Sequence, residues 1–149
     1  RRFNYLIMDC LLRLAKPSDA LACFAIVNNW IDNTNWMPRI HPPKLITEMI
    51  ENGIPKREFW VIGEPVVGYL SFSVEAQQVM GLYVSQTGVG LGKALLDRVK
   101  IGKASIKLWS HSLNISAHRF YLREGFKIIG AKRVGDDGIE EICFEWVGK

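Results

Sequence analysis

Long hydrophobic runs, cysteine pairs, proline-rich tracts and blocks of like charge are all missing from this 149-residue chain. No segment holds the roughly 18 uncharged apolar residues that a membrane-crossing helix requires, so no membrane partner is expected. Cysteine occurs only at Cys10, Cys23 and Cys143. Three widely spaced thiols among apolar neighbours argue against a disulfide framework and read as reduced and buried. With no CxxC and no Cys/His cluster, no metal is expected. Six prolines and 13 glycines argue against Pro-rich disorder and collagen-like repeats. Charge is nearly balanced, with 19 Lys+Arg against 15 Asp+Glu, a net +4 and a pI near 9.1. The basic residues are dispersed, with no run longer than Arg1-Arg2 or Lys132-Arg133. Nucleic-acid binders carry a basic stripe with interleaved aromatics, so no nucleic-acid partner is expected.

What remains is 48% hydrophobic and 23% charged, an ordinary globular balance, and the expectation is a single domain over residues 1–149. The opening RRFNYLIMDCLL sets basic residues before apolar ones, but Asn4 and Asp9 interrupt it and no A-x-A-like site follows. It reads as an extension or first strand of a cytoplasmic protein.

The period of the apolar pattern changes along the chain. Residues 11–15 suggest a short strand. Ser18 or Asp19 can cap a helix with Leu21, Phe24, Ala25, Val27 and Ile31 at helical spacing. The Asn- and Trp-rich stretch 28–38 is expected to end that helix in a loop. Pro43 opens a second helix, with Leu45, Ile46, Met49 and Ile50 on one face and Gly53 as its stop. Strands are expected at 58–62, 66–74 and 78–84, the first two joined by Gly63-Glu64-Pro65. A glycine cluster then leads into a helix with Leu91, Ala94, Leu95 and Val99 on one face. A strand at 105–109, a helix at 114–124 and two strands at 127–134 and 140–147 around Asp136-Asp137-Gly138 complete the order. The class is α/β (α+β), one layered domain.

The segment Leu82-Tyr83-Val84-Ser85-Gln86-Thr87-Gly88-Val89-Gly90-Leu91-Gly92-Lys93 runs from a strand through three alternate glycines into a helix. Glycines permit positive φ and close approach of a ligand, and the helix start offers N–H groups and a dipole to phosphate oxygens. A Walker A loop does not fit, because Thr87 stands at its first Gly and Ala94 at its Ser/Thr. A dinucleotide fingerprint does not fit either, since the spacing is G-x-G-x-G. A glycine-rich turn without a ligand is the plain alternative.

A second segment, Asn114-Ile115-Ser116-Ala117-His118-Arg119-Phe120-Tyr121 followed by Gly125-Phe126, joins the first. Together they resemble the GCN5-related N-acetyltransferase (GNAT) superfamily. Its Gln/Arg-x-x-Gly-x-Gly/Ala motif maps onto Thr87 to Gly92, and its N-x-x-A-x-x-x-Y…GF helix onto Asn114 to Phe126. The resemblance implies a mixed, mostly antiparallel sheet of about seven strands flanked by about four helices and splayed between strands 4 and 5. It also implies acetyl-CoA as cosubstrate and acetyl transfer to a primary amine by direct attack. The pyrophosphate would lie on the amides from Gly88 to Lys93, including Val89, Gly90, Leu91 and Gly92. The pantetheine arm would pair near Leu82, Tyr83 and Val84, with Asn114 bonding it and Ala117 and Phe120 beside it. Val84 N–H would polarise the carbonyl oxygen. Tyr121 would protonate the leaving thiolate; its plain alternative is a core tyrosine.

Two departures accompany the resemblance. Thr87 replaces the Gln/Arg of the motif, and a shifted alignment would put Gln86 there. Gln78 and Met80 stand where relatives place a strand-four carboxylate. A base would then come from Asp32, His41, Glu75 or His111, from a water relay, or not be needed. The stretch 28–43 (NNWIDNTNWMPRIHPP) would line the acceptor pocket with Trp30, Trp36, Met37, Arg39 and His41. Arg39 would suit the carboxylate of an amino-acid-like acceptor, or be solvated while the tryptophans pack in the core. His118 reads as a surface residue. The acceptor is expected to be a small-molecule amine, with a protein amine open and a homodimer suggested by analogy. A non-catalytic CoA-binding sensor or interaction module is the alternative.

Overall fold

The computed structural model describes residues 11–149. The expectations for Cys10 and for an extension or strand within residues 1–10 lie outside the described residues. Seven strands form one sheet: β1 (Leu12–Leu14), β2 (Glu58–Ile62), β3 (Gly68–Ser73), β4 (Gln78–Val84), β5 (Ser105–His111), β6 (Lys127–Val134) and β7 (Glu140–Val147). Their spatial order is β1-β2-β3-β4-β5-β7-β6. Every pairing is antiparallel except β4 with β5. Among the described residues four α-helices accompany it: α1 (Ala20–Asp32), α2 (Pro43–Gly53), α3 (Leu91–Lys100) and α4 (Ile115–Arg123). Among the described residues no helix is long and apolar enough to cross a membrane.

Alternation along β2 and β3 sorts the core into two layers. Trp60, Ile62, Leu70 and Phe72 pack under α3, with Leu91, Ala94, Leu95, Leu96 and Val99. Phe59, Val61 and Tyr69 face α1 and α2, with Ala20, Cys23, Val27 and Ile50. Helices cover both faces of β2 and β3, which is why EFWVI and GYLSFS are almost wholly buried. Cys23 and Cys143 are free and buried, as expected.

One irregularity creates the site. Ser71 pairs with Gly81 and Phe72 with Val79, so Met80 is an extra residue in β4. Such a bulge bends a strand and increases its twist. The β4–β5 ladder consequently holds only Gln78↔Lys107 and Val79↔Leu108. Beyond these pairs the strands diverge, and the splay expected between strands 4 and 5 is present.

Three local expectations change. Helix α1 continues to Asp32, and its buried positions are Ala20, Cys23, Ile26 and Val27, while Leu21 is 72% exposed. ALACFAIV is apolar on every side, so periodicity cannot pick the face; the small Ala20 and Cys23 let this one approach the sheet. Gly53 has ordinary helical φ and does not stop the backbone, which continues as a 3-10 turn to Lys56. Strand β5 runs to His111 rather than Trp109, because β7 pairs with it as far as His111↔Glu141.

Candidate functional site

A cavity of about 800 Å³ fills the divergence of β4 and β5. Met80 to Val84, the glycine loop, the start of α3, the end of β5 and α4 all line it. Ser85 N–H donates to Val67 O of the β3 side at 2.8 Å. Neighbouring strand residues present their N–H groups to opposite sides, so Val84 N–H faces the gap.

The glycine loop shows why each glycine stands where it does. Gly88 and Gly90 have φ of 78° and 92°, the left-handed region in which a side chain is strained. Gly90 is also the N-cap of α3 and provides no side-chain cap. Ala94 N–H is the first to return to Gly90 O, which leaves the N–H groups of Leu91, Gly92 and Lys93 outside the helix ladder. Gly92 is helical, and a Cβ there would stand 3.0 Å from Phe120 Cζ of α4. Two glycines therefore open the loop, and the third lets α3 and α4 touch. Thr87 and Gln86 both line the cavity, whereas Val89 packs against the core beneath it. Lys93 is not a free cation: its Nζ lies 3.2 Å from both Asp97 and Glu124. Those hydrogen bonds, Asp97 first, raise its pKa. Arg123, 70% exposed and stacked near Phe120, is a cavity-lining cation that the motif did not mark.

Across the gap, Asn114, Ala117, Phe120 and Tyr121 all line the cavity. Asn114 caps α4: its Oδ1 accepts from Ala117 N–H at 3.3 Å and from Ser116 Oγ at 3.4 Å. Only its amide NH₂ is left to donate to a ligand. Tyr121 is held by Phe120, Phe126 and Phe144 at ring separations of 5.4, 5.8 and 5.7 Å. Burial, with a smaller contribution from Tyr83, pushes its phenol well above the ordinary value. His118 is not a surface residue: its ring packs 5.2 Å from Phe144 and its Nε2 meets His111 O at 2.9 Å.

The opposite end of the cavity differs from expectation. Trp30 and Met37 line it, and Trp36 supports Trp30 edge to face at 5.8 Å. Arg39 turns away to Asp32 Oδ1 at 2.7 Å and Asn28 Oδ1 at 2.6 Å, and does not line the cavity. His41 lies 3.9 Å from Asp136 and does not line it either. Among the four candidate bases, Asp32 is engaged by Arg39, and only His111 reaches the cavity. Beside it stand two residues that the sequence reading missed, Asp137 of the β6–β7 turn and Glu141 of β7. His111 Nε2 lies 2.7 Å from Asp137 Oδ2 and 3.8 Å from Glu141 Oε2. Desolvation raises the Asp137 carboxyl, but hydrogen bonds from Ile139 N–H and His111 outweigh it and leave the pKa below the ordinary value. Burial, then Asp137 and Glu141, pushes the Tyr83 phenol to about 12. A His/Asp/Glu trio can also ligate a divalent cation. Here the His111–Asp137 bond and Arg133 on Glu141 Oε1 at 2.7 Å already engage these groups.

Comparison with known proteins supports this architecture. No protein-family profile matches the chain, and no curated protein matches it significantly. Solved structures do match. A ribosomal-protein-alanine N-acetyltransferase from Brucella melitensis is 21% identical, with a TM-score of 0.71 over 93% of this chain and 99% of that one. A GNAT-family acetyltransferase from Bacillus cereus is 19% identical, with a TM-score of 0.72 over 93% and 96%. YncA from Salmonella typhimurium, solved with its cofactor acetyl-CoA, is 22% identical, with a TM-score of 0.68 over 91% and 92%. The fold of this chain is that of the GCN5-related N-acetyltransferases.

Proposed function

We propose that residues 1–149 form one cytoplasmic acetyl-CoA-dependent N-acetyltransferase domain acting on a primary amine, in the first instance that of a small molecule. The observation that carries this reading is the gap between β4 and β5, which ends on an uncapped helix N-terminus. Unpaired strand amides, open glycines and three helix-start N–H groups make a donor set for an amide-bearing, phosphate-ended ligand. At Gly88 a Cβ would meet nothing within 4 Å, so the loop is open to such a ligand. When bound, acetyl-CoA supplies an activated acetyl thioester. The amides of Leu91, Gly92 and Lys93 would hold its pyrophosphate, with Thr87 or Gln86 and Arg123 beside them. Asn114 NH₂ and the Leu82–Val84 backbone would hold the arm. Val84 N–H would polarise the carbonyl oxygen. Tyr121 would hold a proton at its hydroxyl for the leaving sulfur, and its raised pKa keeps that proton in place throughout the working pH range.

A second reading, a CoA-binding module without turnover, is favoured by Gln78 and Met80 at the strand-four positions. Two measurements separate them. Acetyl-CoA and CoA, but not NAD, should raise the melting temperature; at 100 times Kd the linkage amounts to about 2.7 kcal/mol. No shift with either CoA species would remove both readings. Thiol release over an amine panel then decides between them: stabilisation without release from any amine leaves the binding module.

A further inference from the structure

The acceptor end of the cavity combines an aromatic wall, a hydrogen-bonded His–Asp pair and a surplus of carboxylates. We propose that the His111–Asp137 pair is the proton acceptor of the reaction and that its pocket selects an alkylammonium with no carboxylate beside the reacting nitrogen. The inference rests on the acetyltransferase reading and names its base and its substrate class.

The tautomer of the neutral His111 ring follows from its partner. The Asp137 carboxyl is held below its ordinary pKa and is ionised at neutral pH, so it can only accept. His111 Nε2 must then carry the proton of the 2.7 Å bond. This places the lone pair of the neutral ring on Nδ1, which makes no hydrogen bond among the described residues. A histidine fixed in one tautomer by a buried carboxylate is poised to take a proton at its other nitrogen. His111 stands at the end of β5, where the gap from β4 is open, and it lines the same cavity as Val84 and Tyr121. The other charged or titratable groups around it are Glu141 on β7, itself bonded to Arg133 of β6, and Tyr83 on β4. His118 of α4 meets only its backbone oxygen.

The substrate class follows from charge and shape. Trp30 lines the cavity and stacks on the His111 ring at 6.2 Å, while Trp36, outside the lining, tilts against that ring at 5.2 Å. Aromatic faces beside carboxylates receive an organic cation. The cation suited to an acceptor carboxylate, Arg39, is engaged by Asp32 and Asn28 outside the cavity. A carboxylate next to the amine would therefore face Asp137 and Glu141, with no free cation among the described residues at that end of the cavity. In the reaction, one proton of the ammonium passes to His111 Nδ1 and later to solvent. The freed nitrogen forms the C–N bond to the acetyl carbon as the C–S bond breaks. The nitrogen gives its second proton to the departing sulfur, with Tyr121 bridging the transfer.

The test compares phenylethylamine with phenylalanine, which differ by one carboxylate, using thiol release. Phenylethylamine should exceed phenylalanine about a hundredfold in kcat/KM. His111→Gln should lower kcat at least about a hundredfold. Asp137→Asn should lower kcat about tenfold, since the imidazolium formed in the reaction loses its anion. It should also weaken phenylethylamine binding to the CoA complex, read by calorimetry. Calorimetric acetyl-CoA binding in both variants should match the parent protein, which shows that they fold. Equal rates for the two amines, or an unchanged kcat in His111→Gln, would overturn this inference while leaving acetyl transfer standing. So would a rate abolished by chelator and restored by zinc. Acetyl-CoA binding without thiol release from any amine would overturn both.

Discussion

On the α3 side of the gap, the ligand-facing groups are main-chain amides: Val84 N–H, the left-handed Gly88 and Gly90, and the uncapped start of α3. On the α1 side they are side chains from four separate segments: Trp30, Met37, His111, and Asp137 with Glu141. Backbone amides take any chain that meets the loop geometry, and they suit a ligand with a repeating amide and phosphate pattern. Side chains can be exchanged without disturbing the fold, and they suit whichever acceptor one enzyme requires. One half is thus a constant built into the fold, and the other is a variable mounted on it.

Tyr121 is where the two halves meet, and its removal gives the largest effect expected from either motif. Tyr121→Phe keeps the ring packing against Phe126 and Phe144 and removes only the hydroxyl. We expect kcat to fall about a hundredfold, equivalent to about 2.7 kcal/mol of barrier, with acetyl-CoA affinity unchanged within about twofold. A large loss of acetyl-CoA affinity instead would move Tyr121 wholly to the cofactor half. Gly90→Ala comes next. At φ 92° a Cβ costs about 1–2 kcal/mol, so melting temperature and acetyl-CoA affinity should both fall. The discrimination between amines should stay the same, and a change in it would show that the halves are coupled through the loop.

The difference in material also explains what could be read before folding. Gly88, Gly90 and Gly92 are near neighbours in the chain, and their spacing carries its meaning wherever a strand meets a helix. Asn114 and Tyr121 likewise belong to one helix. The mixed, mostly antiparallel sheet and its splay followed from the resemblance that those two motifs carry. The acceptor half has no such local signature. His111 and Asp137 are 26 positions apart, and their meeting depends on β5 extending to His111 and pairing there with Glu141. In sequence Asp136-Asp137-Gly138 is only a turn signal, and a turn needs its aspartate for local hydrogen bonds whether or not a histidine arrives. Arg39 misled for the matching reason: a loop arginine in an aromatic stretch looks available until α1 runs on to Asp32 and engages it.

Acid unfolding offers a third, smaller contrast. Asp137 titrates below its ordinary value when folded. Its contribution is therefore fully present above the unfolded carboxyl pKa of about 3.9 and is lost as pH falls through the lower folded value. Asp137→Asn should cost about 1 kcal/mol at neutral pH and flatten the fall of melting temperature below pH 4. Gly90→Ala should lower the whole curve without changing its shape. Melting curves between pH 2.5 and 7 for both proteins read the difference directly.

The smallest effect is expected at Arg39, for which the sequence left both an acceptor contact and a solvated side chain open. Arg39 is about one-third exposed and Asp32 more so, at side-chain values of 31% and 59%. A solvent-screened pair of this kind contributes about 0.5 kcal/mol or less. Arg39→Ala should therefore leave the melting temperature within about 2 °C for a chain of this size. If the acceptor end is the anionic, aromatic pocket described above, KM for phenylethylamine should not change, because the guanidinium faces Asn28 and Asp32 rather than the cavity. A rise in KM confined to acceptors that carry a carboxylate would instead show that Arg39 swings off Asp32 when such a substrate arrives. The acceptor half would then be adjustable in charge as well as in side-chain identity.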